Sequence, residues 1–530
     1  MTAPAGGLRR DGIEFRAMRL GPLAIACAWV AALAWANRNV VIDDPWITFR
    51  YARNLLDGHG FAFNPGDPLE GYSNFLWVLL SALSLALNVE PLDTARAVSA
   101  LAAFGLLALL CFVAPGMHPG RDEPRRPHGS LLATLLLGSC YPLAAWVAGG
   151  LETVAQAFLA MALAVASAAA VDRGSRLAAA CAFAALSALL LLRPEGPMYA
   201  AVPVVALGLA LFGSAERRAG AKPLAAALLG AAVVLALYTW WRHATFGTIV
   251  ANTVSAKIGG DPLAAARSGL RYLGGYFLGA PALLLAFAAA GAWRAWRHRS
   301  EADPVFALAG ALAALQLSFA VAVGGDWMPG YRFLVPALAP LCLLAAFGLG
   351  MAPKFAAGVA ALFLMLAGVL DAKNDKGVPA LAVGLSTARW VADGRPLVQP
   401  LVDIGWELRA LSQADDTIAM SEAGVVPYYS GLRLIDMLGL VDREIAEGDG
   451  GLHAEYDADS VLRRAPRFIL LGFTDTPAGP APTWPPDRQM CEHPRFREEY
   501  AELRQWPRWM TDGFGGRLQG RMVLYERGRP

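Results

Sequence analysis

The sequence predicts an α-helical polytopic membrane protein, with about eleven transmembrane helices and a small C-terminal α/β domain. Hydrophobic residues make up 56 % of the 530 residues and charged residues only 17 %, whereas a soluble domain carries about 25 % charge. The charge is also uneven, with 42 charged residues in the last 159 and 46 in the first 371. We therefore divide the chain into a membrane domain, residues 1–371, and a soluble domain, residues 372–530.

This composition excludes a purely soluble enzyme, a fibrous protein and a disordered chain, and the net charge of +2 gives no support to nucleic-acid binding. Apolar runs near 20 residues are expected to span the bilayer. Eleven runs qualify: Leu20 to Asn37, Ala97 to Val113, Ser130 to Ala148, Thr153 to Val171, Leu177 to Leu192, Pro197 to Leu211, Pro223 to Trp241, Tyr276 to Trp293, Pro304 to Val323, Phe333 to Met351 and Phe355 to Leu370.

A twelfth run, Phe75 to Leu87, has an apolar core of about 13 residues, a length that favours the membrane interface. If it does not cross, the short Arg/Lys-rich loops all join the Arg-rich N-terminus in the cytoplasm, as the positive-inside rule requires. Eleven crossings then place the first long loop, residues 41–93, and the soluble domain on the opposite, outer side. Charges are almost absent from the middle of the spans, which argues against an ion-coupled transporter.

The soluble domain alternates short apolar runs with loops, a pattern typical of a small α/β fold. It contains no metal-ligand spacing, phosphate-binding glycine motif or nucleophile elbow, so no cofactor is identified, and the requirement for a divalent metal is left open. The expected helix is Pro400 to Leu411, and the expected strands are Thr417 to Met420, Leu432 to Met437, Phe468 to Leu471 and Met522 to Tyr525.

The most informative segment begins with Asp43 and Asp44, directly after the first span. Asp44 before Pro45 predicts a helix start, because Asp is a good N-cap and proline suits the first helical position. On that helix Arg50 and Arg53 share one face. Two adjacent carboxylates at a membrane face can supply a general base, since like charge and partial burial raise one pKa, and two arginines suit a phosphate.

An equally weighted alternative is that Asp44 only caps the helix and the arginines only meet lipid headgroups. Two further cations are expected on the outer side, Lys257 and Arg332. Each of them is open to the same interpretation as an interfacial anchor.

The motifs of this chain resemble those of the GT-C superfamily of bacterial integral-membrane glycosyltransferases. The closest similarity is to the branch that contains the terminal β-1,2-arabinofuranosyltransferases (AftB) of mycobacterial cell walls. The similarity extends over nearly the whole chain. Its motifs are Asp43-Asp44 through Leu55, Gly58-His59-Gly60, Asn64-Pro65-Gly66, Glu70 through Trp77, Gly150-Leu151-Glu152-Thr153, Arg193-Pro194-Glu195-Gly196, the segment ending at Lys257, Gly325-Asp326-Trp327-Met328, and Pro427 through Gly431 with Asp436 and Gly439-Leu440.

The resemblance implies an inverting transfer of a sugar, with D-arabinofuranose the closest analogy, from a polyprenyl-phosphate donor to an acceptor hydroxyl. It places the enzyme in the bacterial inner membrane, with the active site facing the periplasm and an envelope glycan, lipopolysaccharide or pilin as acceptor. It places the base in the pair Asp43 and Asp44, and we favour Asp43 because Asp44 caps the helix. The donor phosphate is assigned to Arg50, Arg53, Lys257 and Arg332, and the sugar or acceptor pocket to His59, Glu70, Tyr72, Asn74, Asp326 and Trp327.

Three other functions fit the composition: a lipid-linked sugar flippase or transporter, a scaffold whose soluble domain recruits envelope partners, and an envelope polymerase or ligase. A flippase needs a polar path through the spans, of which these Ala/Leu-rich helices offer little. A scaffold predicts that both aspartates can be replaced without a phenotype.

Overall fold

A computed structural model describes residues 7–39, 41–113, 128–252, 261–278, 281–297, 304–328, 330–350, 398–446, 457–511 and 517–528. The predicted eleventh span, the boundary between residues 371 and 372, and Lys257 lie outside these ranges.

The first part of the chain is a bundle of apolar helices whose buried side chains form one large core, rich in Ala and Leu. Within the described ranges, six helices are long and apolar enough to cross a membrane, or up to eight if each of two bent pairs counts as one span. The bundle helices are α1 (Gly7–Ala36), α4 (Pro91–Ala108, extended by a π-helical turn Leu109–Val113), α5 (His128–Gly138), α6 (Tyr141–Ala148), α7 (Thr153–Arg173), α8 (Arg176–Leu192), α9 (Ala201–Leu211), α10 (Ala215–Phe246), α11 (Pro262–Phe277), α12 (Pro281–Arg297), α13 (Pro304–Ala322) and α14 (Val335–Leu349).

Ten of the predicted spans coincide with described helices, although the count of eleven crossings is not confirmed. The predicted run from Ser130 to Ala148 is two helices, α5 and α6, with a bend of 57° between them. The bend precedes Pro142, which cannot donate a backbone hydrogen bond to a continuous helix. The run from Tyr276 to Trp293 is likewise divided, between α11 and α12, while α8 and α9 are shorter apolar helices.

Two short helices of 12 residues each lie in the long loop of residues 41–93, α2 (Pro45–Leu56) and α3 (Phe75–Ala86). The start of α2 at Pro45 is as predicted. The short length of α3 agrees with the expectation that this apolar run does not cross.

The soluble domain is built on a six-stranded mixed sheet with the order β2-β1-β3-β6-β5, in which β4 pairs with β3. β1 runs parallel to β2 and β3, and β6 runs antiparallel to β3 and β5. The predicted helix and four predicted strands are present. The domain contains α15 (Gln399–Leu411), β1 (Thr417–Met420), α16 (Val425–Ser430), β2 (Arg433–Asp436), α17 (Arg443–Ala446), α18 (Ala458–Arg463), β3 (Phe468–Thr476), β4 (Gly479–Pro482), α19 (Pro485–Glu492), α20 (Pro494–Glu499), β5 (Tyr500–Thr511) and β6 (Arg517–Arg527).

The soluble domain shares a hydrophobic core with this loop. Phe49 and Tyr51 of α2 are fully buried in the same cluster as Ile418, Val425 and Leu434 of the soluble domain. Because burial of apolar surface stabilises by about 25 cal/mol per Å², this shared core holds the soluble domain against the loop. We call the contact between the two the seam.

Candidate functional site

The Asp43 carboxylate lies at the seam and is held by the soluble domain. The backbone N–H of Gly424 donates to Oδ2 at 2.6 Å, and the N–H of Val425 donates to Oδ1 at 2.7 Å. These two donors precede and begin α16, where backbone N–H groups lack partners within the helix. The soluble domain therefore fixes the orientation of both carboxylate oxygens.

Only glycine fits at position 424. A Cβ atom there would lie 2.0 Å from the Asp43 carbonyl oxygen and 2.5 Å from its Oδ2. The absence of a side chain lets the two backbones approach closely enough for the hydrogen bonds to form.

Removal from bulk water raises the pKa of Asp43 to about 8, and the nearby negative charge of Glu422 adds to the rise. The hydrogen bonds from Val425 and Gly424 oppose it, and Asp44 contributes further repulsion. Desolvation and like charges both disfavour the ionised carboxylate, which explains the direction. Asp43 therefore exchanges its proton close to neutral pH.

Asp44 occupies the N-cap position of α2, but its side chain makes no capping hydrogen bond. Its backbone carbonyl accepts from the N–H of Ile47 at 3.1 Å. The capping role predicted for the Asp44 side chain is therefore wrong, and the reason for preferring Asp43 over Asp44 as the base does not hold. Both carboxylates stay candidates.

Arg50, predicted to bind phosphate, is buried and surrounded by acceptors. Its Nε donates to the Phe63 carbonyl at 2.9 Å, and its Nη2 donates to the Leu432 carbonyl at 2.7 Å and to Asn64 Oδ1 at 3.4 Å. Its Nη1 donates to the carbonyl of Pro427. Four of the five N–H groups are therefore used inside the protein. This geometry makes Arg50 a structural residue that holds the loop and the soluble domain together, instead of a phosphate ligand.

Arg53 also contacts the soluble domain. Its Nη1 donates to the Tyr428 carbonyl at 2.9 Å, and its guanidinium lies over the Tyr428 ring, 3.7 Å from the centroid. The predicted phosphate ligands on α2 thus face the soluble domain.

Asp326 and Arg332, assigned from the sequence to different roles, form an ion pair with each other. Arg332 Nε lies 2.7 Å from Asp326 Oδ2, and Nη2 donates to Oδ1 at 3.3 Å. Between them in the chain, the Trp327 side chain is 56 % exposed. Its ring meets the ring of Trp484 at 90°, with centroids 6.3 Å apart.

Trp484 connects this segment to the neighbourhood of Asp43. Its Nε1 donates to Glu422 Oε1 at 3.4 Å, and Glu422 Oε2 lies 2.7 Å from Nη1 of Arg508. Glu422 is two residues from Gly424, the donor to Asp43. The structure therefore brings Asp43, Asp326, Trp327 and Arg332 into one region through residues of the soluble domain.

Asn74, predicted as a pocket residue, is buried in a polar network that begins at Thr48, in the first turn of α2. Thr48 donates to its Oδ1 at 3.0 Å, and its Nδ2 donates to Glu152 Oε2 at 2.7 Å. Glu152 is paired with Arg193 at 2.7 Å. The network continues through Arg193–Glu195, Glu195–Gln156, Gln156–Tyr199, Tyr199–Gln316 and Gln316 to the Phe333 carbonyl.

This network links the start of α2 to the residue after Arg332 and includes Gln156 of α7 and Gln316 of α13. Glu152 and Arg193 belong to motifs of the family resemblance, but no role was predicted for them from the sequence. Because every link is a hydrogen bond between buried or half-buried groups, the network fixes the relative positions of the two segments.

His59, Glu70 and Tyr72 do not join this region. His59 is exposed beyond the C-terminal end of α2, and a helix of this length places it about 18 Å from the aspartates. Glu70 is buried and paired with Arg242 at 2.8 Å, and burial raises its pKa to about 7. Tyr72 packs edge-on against Tyr51, with centroids 4.9 Å apart. The predicted pocket roles of these three residues find no support in this geometry.

Sequence reasoning missed Glu422, Gly424, Trp484 and Arg508. One signal was available for the first two, because they follow the C-terminal end of a parallel strand, β1, where ligands gather in α/β sheets. Trp484 and Arg508 carry no local signal. Within the described ranges, no group of three or more His, Cys, Asp or Glu side chains is arranged to hold a metal ion.

Comparisons with known proteins agree with this architecture. The profile of a family described as a domain of unknown function (DUF8728) matches residues 392–525. No curated protein sequence matches the chain.

Among solved structures, ArnT from Cupriavidus metallidurans bound to undecaprenyl phosphate is similar over 98 % of both chains, with a TM-score of 0.57 and 12 % identity. The apo state of the same protein covers 95 % of this chain and 97 % of its own, with a TM-score of 0.57 and 14 % identity. Arabinofuranosyltransferase AftD from Mycobacteria covers 96 % of this chain and 40 % of its own, with a TM-score of 0.46 and 16 % identity.

The chain therefore has a fold similar to that of ArnT, and its long apolar helices are those of a multi-pass membrane protein. The resemblance to the GT-C superfamily, and within it to the β-1,2-arabinofuranosyltransferase branch, stays a prediction.

Proposed function

We propose that this protein is an inverting glycosyltransferase that moves a sugar from a polyprenyl-phosphate donor to a hydroxyl of an envelope glycan. The observation that carries the proposal is the carboxylate pair Asp43 and Asp44 at the seam, where the soluble domain orients Asp43 through two backbone donors. The fold supports it, since ArnT, which shares that fold, was solved with undecaprenyl phosphate bound. D-arabinofuranose is the proposed sugar, and the periplasmic face of the inner membrane the proposed location.

In the proposed reaction, one carboxylate of the pair removes the proton of the acceptor hydroxyl as that oxygen attacks the anomeric carbon. The bond from that carbon to the phosphate oxygen breaks, and polyprenyl phosphate leaves with the bonding electrons. A phosphate is a good leaving group, so cations help more than a general acid. A base whose pKa lies near the working pH is well matched to this proton transfer.

The proposed phosphate ligands are Arg332 and Lys257. Arg332 uses Nε and Nη2 on Asp326, and a guanidinium held in this way presents its remaining N–H groups in a fixed direction. Arg50 is not included, because its donors are occupied in the seam. Arg53 is also left out, since it contacts Tyr428.

The test replaces each aspartate by asparagine in the purified full-length protein. Wild-type protein is incubated with a panel of polyprenyl-phosphate sugars, and the donor consumed is identified by mass spectrometry. Loss of the base is expected to slow transfer by about 10²- to 10⁴-fold in Asp43→Asn or in Asp44→Asn. Asp57→Asn, an exposed aspartate at the other end of α2, is the matched control and is expected to retain wild-type turnover.

Two results would contradict the proposal. One is wild-type turnover in both Asp43→Asn and Asp44→Asn. The other is a wild-type protein that consumes no polyprenyl-phosphate sugar of the panel, which would favour the flippase or scaffold alternatives.

A further inference from the structure

We propose that Trp327, Trp484, Glu422 and Arg508 form a binding subsite for a sugar ring of the acceptor glycan. The inference rests on the proposed function and deepens it. Three of the four residues belong to the soluble domain, and the fourth lies in the loop that follows α13.

The two tryptophans supply the apolar wall. Trp327 is 56 % exposed although its loop neighbours Asp326 and Arg332 are buried and paired. Its ring stands perpendicular to that of Trp484, so the two indoles form a corner. The C–H face of a sugar ring is apolar and packs against aromatic surface, which provides large contact area at a small cost in side-chain entropy.

Glu422 and Arg508 supply the polar wall. Their side chains are 11 % and 12 % exposed and lie 2.7 Å apart, and the Trp484 indole N–H points at the other Glu422 oxygen. Sugar hydroxyls can donate to the carboxylate and accept from the guanidinium, and such charge-assisted hydrogen bonds are the strong ones. Because Glu422 offsets the charge of Arg508, this pair suits a neutral ring better than a phosphate.

Asp487 fixes the position of the polar wall relative to the aromatic wall. It is buried, it accepts from Ser421 Oγ at 2.7 Å, and it also accepts from the backbone N–H groups of Gly472 and Trp484 at 3.1 and 3.4 Å. Ser421 precedes Glu422, and the same loop supplies the Gly424 donor to Asp43. A ring seated between the tryptophans and Glu422 is therefore placed beside the proposed base.

A donor sugar is the other source of the same ring chemistry. We assign the subsite to the acceptor because most of its residues lie in the soluble domain, whereas a polyprenyl-linked sugar arrives from the bilayer. The experiment has one arm for each source.

The full-length protein in detergent is titrated with two soluble probes, an arabinofuranose pentasaccharide and a lipopolysaccharide core oligosaccharide. It is titrated separately with undecaprenyl-phosphate-linked arabinofuranose and with undecaprenyl phosphate alone. Trp484→Ala and Trp327→Ala are expected to weaken binding of at least one oligosaccharide by about tenfold or more, as for aromatic anchors elsewhere. Binding of both lipids is expected to stay within about twofold of wild type. Trp406→Ala, which removes a Trp of the soluble domain that is 52 % exposed, is the control for loss of an exposed aromatic.

Trp484→Phe keeps an aromatic face and is expected to restore most of the oligosaccharide affinity, which separates recognition from folding. The inference is overturned if wild type binds neither oligosaccharide, if the Trp variants bind them normally, or if they lose either lipid to the same degree. Loss of the lipid-linked sugar without loss of undecaprenyl phosphate would assign the subsite to the donor. Failure of wild type to bind undecaprenyl phosphate, with oligosaccharide binding that depends on both tryptophans, would contradict the proposed donor and leave the subsite supported.

Discussion

The loop of residues 41–93 and the soluble domain contribute to the site in a different way from the one that the sequence predicts. The loop was expected to supply the carboxylates and two of the four cations of the site, Arg50 and Arg53, and no site residue was predicted in the soluble domain. In the structure the loop arginines Arg50 and Arg53 hold the soluble domain. The soluble domain in turn supplies the two donors to Asp43 and places Glu422 beside it.

The difference teaches that a charged residue type does not by itself define a role. Asp43 precedes α2 and Arg50 lies in its second turn, and both reach across the seam. Arg50 meets backbone carbonyls there, and Asp43 meets backbone N–H groups. Arg50 of the loop therefore holds the soluble domain in place, and the soluble domain in turn orients Asp43 of the loop.

Among the changes that test this comparison, the largest effect is expected from filling the space at the Asp43 contact. In Gly424→Ala the new Cβ would clash with the Asp43 backbone and carboxylate, so both hydrogen bonds are expected to lengthen. A displacement of about 1 Å near reacting groups costs about 10²-fold in rate, and we expect a loss of that size in sugar transfer.

The matched control is Gly310→Ala, since a Cβ at that helical position meets no atom within 4 Å. Wild-type transfer by Gly424→Ala would mean that the soluble domain does not orient the base, and the comparison between the two regions would fail.

The second prediction concerns the hydrogen bonds that Arg50 makes across the seam. Arg50→Met removes four buried hydrogen bonds, each of which contributes about 0.5–1.5 kcal/mol. The Phe63 and Pro427 carbonyls and Asn64 Oδ1 each keep a second donor. We expect a marked fall in the thermal midpoint of unfolding. Arg50→Lys keeps the charge but not the fork of donors, so it is expected to restore little.

Arg433→Met is the control, because Arg433 donates to the Pro65 carbonyl from an exposed position of the same seam. If Arg50→Lys retains wild-type stability but loses undecaprenyl phosphate binding, Arg50 is a phosphate ligand, as its sequence position first suggested.

The smallest expected effect is a shift in pH dependence. A base is active when ionised, so kcat/KM is expected to rise with pH through the pKa of Asp43, near 8. In Glu422→Gln the neighbouring negative charge is removed, the ionised carboxylate becomes less unfavourable, and the rising limb moves to lower pH. A shift on the order of one pH unit is expected for a nearby charge.

Glu444→Gln, at an exposed ion pair with Arg463, serves as the control and is expected to leave the limb in place. A limb that does not move in Glu422→Gln would assign the base to Asp44 or to another group.

Local patterns predicted much of the fold. The start of α2 at Pro45, α15 and four of the strands followed from residue type and period alone. β5 was missed because Tyr500–Thr511 contains charged residues and Pro507, a composition that suits the edge of a sheet, where β5 lies, and disguises it as a loop. The bend between α5 and α6 was missed because both halves are equally apolar.

The sequence by itself determined that this chain is a membrane protein whose last 159 residues are much richer in charge than the first 371. It also placed Asp43 and Asp44 together, because neighbours in sequence are neighbours in space. Only the tertiary structure decided which partners those charges meet. Arg50 and the Pro427 carbonyl are 377 residues apart in sequence, and hydrogen bonds to backbone atoms carry no side-chain signature. The direction of each charged group was therefore set by folding across the seam, which no local pattern records.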